Sequence, residues 1–269
     1  VSLGPAARQD LGMTVQVRRA AGDGPVLVLL HGLGATGHVW DGVAARWAGA
    51  WAIPDLPGHG GSDRLPAYSF GSMAAELAAG LAAGLTAGSD PPVAAGQPVV
   101  VLGHSLGGVL GLALASGWFG IRVAAVCGLG IKLHWSAEDL SRAAEMAARP
   151  GRVFGTRAEA VERALKVAGL RGLVPDDSPV AASSVMESAG GWELALDNAA
   201  FGVGAPDMAG LLAACRAEVV LAAGEHDPMC PPEQLRALQP GAVVLPRLGH
   251  NAHVQDPDAL RPLLDRLRA

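Results

Sequence analysis

One serine, one aspartate and one histidine in this 269-residue chain stand where nucleophilic attack on a carbonyl would need them. Gly103-His104-Ser105-Leu106-Gly107 is a G-x-S-x-G run with Gly108 behind it. A serine hydroxyl is a weak nucleophile at neutral pH. It needs an imidazole to take its proton and a carboxylate to orient that imidazole. Gly224-Glu225-His226-Asp227-Pro228 offers Asp227, and Leu248-Gly249-His250-Asn251 offers His250, in the order serine, acid, histidine. Glu225 and His253 compete for these roles. Asp227, directly before a proline, is the better-placed carboxylate. His250 follows Gly249 at a loop tip, whereas His253 leads into the last helix and reads as a packed or capping residue. Charge developing on the carbonyl oxygen needs two fixed donors. The Leu106 N–H is one, and the Leu33 N–H in His31-Gly32-Leu33-Gly34 is the other, each acting through the backbone alone.

These residues converge only if particular elements carry them. The aliphatic run 26–30 reads as a strand buried on both faces, and 99–102 reads the same way directly before Gly103. An apolar helix over 106–115 would turn the serine tightly off the strand end, with small residues on either side letting strand and helix approach. Further strands are expected at 13–19, 51–53, 123–127, 218–222 and 242–245, and helices at 72–85, 232–238 and 258–267. Alternating strands and helices predict an α/β fold with a mainly parallel sheet covered on both faces. Asp227 and His250 then follow strands whose carboxyl ends share one edge with Ser105.

Residues 131–206 break this rhythm, with helical patterns at 137–149 and 158–168 and no strong strand. That length exceeds a single crossover and predicts a helical cap inserted over the sheet. The division expected is a core of 1–130 and 207–269 with a cap of 131–206, hinged or turned at Gly128, Gly130, Gly202 and Gly204. A mostly apolar substrate pocket should lie between sheet and cap. His134, Trp135, Trp192 and Phe201 are its candidate lining residues, although aromatic positions on helices more often face packing.

Five segments together resemble the α/β-hydrolase family: His31-Gly32-Leu33-Gly34, Asp55-Leu56-Pro57-Gly58-His59-Gly60-Gly61-Ser62, Gly103 to Gly108, Gly224 to Pro228, and Gly249-His250-Asn251-Ala252-His253. The resemblance implies an eight-stranded sheet with its second strand antiparallel and a lid after the sixth strand. Here the early strands are weakly marked, so a shortened N-terminal edge is also compatible. It further implies structural roles for Asp55, His59 and His104. The expected activity is hydrolysis of a carboxylic ester or lactone of a small, largely apolar substrate through an acyl-enzyme on Ser105. Carbon–carbon bond hydrolysis or acyl transfer by the same triad, and a non-enzymatic binding protein on the same fold, remain open alternatives.

Two rival motifs are weaker. Gly32-Leu33-Gly34-Ala35-Thr36-Gly37 is a G-x-G-x-x-G with Asp55 beyond it, a dinucleotide fingerprint on paper. About 25 residues with an earlier strand of their own precede this unit, and His31 has no place in that reading. A metal site from His250 and His253 with Asp227 or His226 lacks a second ligand pair at the usual spacing. No cofactor or metal is expected. Net charge is −5, only Lys132 and Lys166 are lysines, and no dense basic run occurs, so neither nucleic acid nor an anionic membrane is an expected partner. The apolar run 99–131 is interrupted by His104, Ser105 and Arg122 and reads as core, not as a membrane span. Three sparse cysteines and no apolar leader pattern over 1–14 make cytoplasmic residence the expectation. Oligomeric state is left open.

Overall fold

The computed structural model describes residues 13–86 and 98–268. Its sheet contains seven strands: β1 (Val17–Ala20), β2 (Val26–Leu30), β3 (Trp51–Pro54), β4 (Val99–His104), β5 (Val123–Leu129), β8 (Glu218–Gly224) and β9 (Val243–Leu245). Their spatial order is β1-β3-β2-β4-β5-β8-β9, with β1 antiparallel to β3 and every other pair parallel. The expected count of eight is therefore corrected to seven among the described residues. The antiparallel strand is the first of these and forms the sheet edge. Residues 1–12, over which part of the leader reading runs, lie outside the described residues.

Side-chain alternation in β2 explains why its sequence is aliphatic without interruption. Leu27 and Leu29 point into one buried cluster with Trp40, Val43, Trp47, Leu263 and Leu267. Val26, Val28 and Leu30 point into the other, with Met73, Leu77, Leu81, Leu110 and Leu114. The first face is covered by α1 (Asp41–Ala44) and α10 (Arg261–Arg268), and the second by α2 (Phe70–Thr86) and α3 (Leu106–Ala115). No helix among the described residues is long and apolar enough to cross a membrane.

Between β2 and β4 the strand order reverses. The chain after β2 runs to the first face, and the chain after β4 runs to the second. Loops diverging in this way leave a crevice at the carboxyl ends of the two strands, the usual ligand position in an open α/β sheet. Leu33 and Ser105 stand on its two sides.

The insertion between β5 and α7 (Met208–Ala214) contains α4 (Ala137–Ala148), α5 (Arg157–Val167) and α6 (Pro179–Ser183). Capping boxes start the first two. Ser136 and Asp139 exchange side-chain and backbone hydrogen bonds, as do Thr156 and Glu159. The insertion is not purely helical, which corrects the sequence expectation. β6 (Val185–Ser188) and β7 (Gly191–Leu194) form an antiparallel hairpin closed by the two residues Ala189 and Gly190. Gly190 has φ +97°, a left-handed conformation that such short loops require. The buried side of α5, with Val161, Ala164 and Leu165, packs on this hairpin and belongs to the first core cluster.

Candidate functional site

Ser105 follows β4 directly and has φ +50° and ψ −116°, one of two non-glycine residues at positive φ among those described. Strain of this kind costs about 1–3 kcal/mol and persists only where surrounding structure enforces it. Here the enforcement is visible. A Cβ on Gly103 would overlap the Gly107 carbonyl, and one on Gly107 would overlap the backbone oxygens of Leu30 and His31. Gly107→Ala is expected to destabilise the fold by up to about 2 kcal/mol. Backbone overlap with β2 costs about 1–3 kcal/mol, against about 1 kcal/mol gained in helix propensity. Urea denaturation measures the balance, and a more stable variant would contradict this packing.

His250 and Asp227 are brought together by the loops after β9 and β8. His250 Nδ1 lies 2.9 Å from Asp227 Oδ2, and the carboxylate side chain is fully buried. Asp227 Oδ1 accepts the Met229 N–H at 2.9 Å, so both of its oxygens are committed and its plane is fixed. With the Nδ1 proton directed at the carboxylate, His250 keeps Nε2 as a proton acceptor. No hydrogen bond joins the Ser105 hydroxyl to His250 among the described residues. Both residues border one cavity of about 260 Å³, together with His104, Leu33 and Leu106.

The competing residues have other occupations. Glu225 accepts the Arg247 N–H at 2.8 Å and so braces the turn where Arg247 adopts φ +60°, just before His250. His253 is 1% exposed and lies between Trp40 and His104, with ring centroids 4.3 and 4.4 Å away. Among the described residues neither of its ring nitrogens has a hydrogen-bond partner. His104 aims Nε2 at the His250 carbonyl, 3.0 Å away. His31 accepts the Leu56 N–H on Nε2 and donates from Nδ1 to Gly32 O. That arrangement accounts for the histidine the dinucleotide reading left over. Asp55, which that reading would need on a ribose, instead accepts the N–H groups of Gly37 and Gly61.

Burial pushes His59 and His253 down to about 3, and His31 and His104 are lowered by the same cause. A ring neutral in the fold but protonated near pH 6.5 in the unfolded chain favours unfolding in acid. Its stabilising contribution is complete above about pH 6.5 and is lost as pH falls from there toward 3, by up to about 1.4 kcal/mol per unit for each ring. The melting temperature should therefore drop by about 5 °C or more between pH 7 and pH 5 at fixed ionic strength. A flat profile over that range would contradict the buried, neutral state of these rings.

The N–H groups of Leu33 and Leu106 have no hydrogen-bond partner among the described residues, and both residues face the cavity. Of the four residues expected to line the pocket, Trp135 and Phe201 do so. His134 and Trp192 do not, which is a correction. His134 is exposed to solvent. Trp192 pairs its backbone with Phe154 at 2.7 and 2.9 Å, and its ring packs against the first core cluster. Lys132 also lines the cavity, held by Asp139 at 2.9 Å and lying 4.7 Å from the Trp135 ring centroid. The ammonium keeps the Asp139 carboxyl well below the usual carboxylate range.

Two further residues were missed as parts of this site. Gly130 is no simple hinge. With φ +62°, it presents its bare α-carbon to the acid–histidine pair, and a Cβ there would lie 3.0 Å from Asp227 Oδ2 and 3.4 Å from His250 Nδ1. Asn251 reaches from the His250 loop to the Gly169 carbonyl at 3.1 Å, tying that loop to the end of α5. Gly130 carried a signal in the sequence, a glycine directly after a strand. Asn251 carried none beyond its place beside His250.

Comparison with known proteins agrees with this construction. Residues 27–263 match the profile described as the alpha/beta hydrolase family. The magnesium-chelatase 30 kDa subunit of Rhodobacter capsulatus is 42% identical over 99 residues, 35% of this chain and 31% of that protein. The pimeloyl-[acyl-carrier protein] methyl ester esterase of Aeromonas salmonicida (strain A449) is 36% identical over 107 residues, 38% of this chain and 36% of that one. The chain thus spans about a third of the length of these curated relatives. The crystal structure of E-2-(acetamidomethylene)succinate hydrolase superposes with a TM-score of 0.74 at 21% identity, covering 95% of each chain, a likeness of fold. With the family profile matched over residues 27–263, nearly the whole described sheet, the chain belongs to the alpha/beta hydrolase family.

Proposed function

We propose that the chain is a serine hydrolase that cleaves a carboxylic ester or lactone of a small, largely apolar substrate through an acyl-enzyme on Ser105. One observation carries this reading. A strained Ser105 and His250, itself paired with the buried Asp227, border a single cavity that Leu33 and Leu106 also line, and the backbone N–H groups of those two leucines have no partner among the described residues. The missing serine–imidazole hydrogen bond does not weigh against it, because such bonds are commonly loose without substrate.

In the proposed reaction Ser105 Oγ attacks the carbonyl carbon while His250 Nε2 takes the hydroxyl proton. Asp227 holds the imidazolium through Nδ1. The carbonyl oxygen, now negative, is bound by the N–H groups of Leu33 and Leu106, each worth about 2.7–4 kcal/mol in comparable sites. His250 then protonates the departing alcohol. Water attacks the acyl carbon, returns its proton through His250, and releases the acid and the free serine.

Turnover of p-nitrophenyl acetate, butyrate and octanoate tests the reading, with fluorophosphonate labelling beside it. Hydrolysis of at least one ester is expected, with a preference set by the cavity walls. Trp135→Ala enlarges that cavity and should raise the octanoate-to-acetate ratio of kcat/KM by about tenfold. A protein that neither turns over these esters nor takes the label would lose the hydrolase reading to a binding function. Turnover confined to diketones would favour carbon–carbon bond hydrolysis by the same residues.

A further inference from the structure

A second, larger cleft opens beside the first. It measures about 510 Å³ and is lined by Arg64, Arg149, Arg152 and Arg163. These arginines come from separate places: the loop after β3, the segment after α4, and α5 itself. In a chain of net charge −5, four guanidinium groups around one cleft stand out from the charge of the whole. Two carboxylates share the cleft, Glu193 and Asp197. Asp197 is already occupied, accepting the Tyr68 hydroxyl at 2.8 Å and the Ala199 N–H at 3.0 Å.

The arginines are largely uncommitted. Arg149 has one exposed contact with Glu145, at 3.8 Å, too long and too solvated to hold it. Among the described residues Arg64, Arg152 and Arg163 have no ion-pair partner. Arg152, exposed to solvent, lies 4.7 Å from the Phe154 ring centroid. A guanidinium without an ion-pair partner is matched to the paired oxygens of a carboxylate or phosphate. The two cavities are neighbours. Val167 and Phe201 line both, so the wall between the cleft and the Ser105 cavity includes these two side chains.

We infer that this cleft is the subsite for an anionic group, a carboxylate or a phosphate, at the far end of the substrate whose carbonyl is presented to Ser105. The inference rests on the serine-hydrolase reading for its geometry. It adds to the apolar cavity a requirement for charge at one end of the substrate. The anion belongs either to the acyl part or to the departing alcohol, and the two differ in the substrate that reveals them.

Rates on three esters separate the possibilities: neutral p-nitrophenyl butyrate, a monomethyl ester of a dicarboxylic acid, and the butyryl ester of glycerol phosphate. Each anionic ester is compared with its uncharged analogue, in wild type and in the double variant Arg152→Gln with Arg163→Gln. The expected result is a KM at least about tenfold lower for one anionic ester than for its analogue. That advantage should shrink with added salt and disappear in the double variant, while p-nitrophenyl butyrate turnover stays unchanged. Which anionic ester shows it identifies the end that carries the charge. Arg64→Gln, on a different element, should weaken the same advantage and serves if the double variant does not fold. No advantage for either anion, or one that survives the arginine variants, overturns the inference and leaves the esterase standing. If wild type hydrolyses none of the esters, calorimetric titration with glutarate and glycerol phosphate decides the cleft separately. Binding lost in the double variant supports it, and absence of binding overturns it.

Discussion

Ser105→Ala should reduce ester turnover by a factor on the order of 10⁴ or more while changing the melting temperature little. The first half follows from the proposed role of the hydroxyl as the only bond-forming atom in the acylation step. The second follows from the backbone. Ser105 holds its φ of +50° because β4, α3 and the Leu30–His31 backbone are packed around it, and an alanine inherits the same strain. Ser105→Gly supplies the control, since glycine tolerates this conformation. It should be equally inactive yet more stable than the alanine variant, by about 1 kcal/mol. Equal activity in wild type and Ser105→Ala would remove the nucleophile from the scheme.

Asp227→Asn should lower kcat by about 10⁴-fold with the fold retained. The amide has nearly the shape of the carboxylate, and its oxygen can still accept the Met229 N–H. Its NH₂ then faces His250 Nδ1 and donates where the carboxylate accepted. The histidine is driven to the other tautomer, with its proton on Nε2, and can no longer take one from Ser105. Glu225→Gln tests whether the neighbouring acid substitutes. Since Glu225 holds the Arg247 turn through its carboxylate, that variant should lose stability by about 1 kcal/mol and keep most of its turnover. A loss below tenfold in Asp227→Asn would mean the buried pair is structural.

Which parts of this were legible in the sequence depends on how much of the physics was local. β2 and α8 (Pro232–Leu238) match their expected bounds. Val26 to Leu30 form an uninterrupted aliphatic strand, and Pro232 marks a helix start. The pairing of Asp227 with His250 was readable because each follows a strand recognisable on its own. The β6–β7 hairpin was not. Met186, Glu187 and Glu193 give no clean alternation, since β6 is only partly buried and β7 is half-buried throughout. The Gly190-Gly191 pair was the available turn signal. Trp192 was misplaced for the same reason. Read as a residue on a helix it could face the pocket, but in β7 its backbone is tied to Phe154. The arginine cleft was unreadable because Arg64, in the loop after β3, is far in sequence from Arg149, Arg152 and Arg163, and only the fold brings the insertion's arginines beside it. The histidine stack of Trp40, His253, His104 and His250 likewise joins three distant segments.

The most direct measurement is mass-spectrometric mapping of the protein after reaction with a fluorophosphonate at neutral pH. The proposed chemistry predicts a single adduct, on Ser105, formed by the native protein and absent after unfolding or in Ser105→Ala. It should also form far more slowly in His250→Gln, which leaves the hydroxyl in place without its base. No adduct, or one formed equally fast on another residue or in His250→Gln, would contradict an activated serine at the carboxyl end of β4.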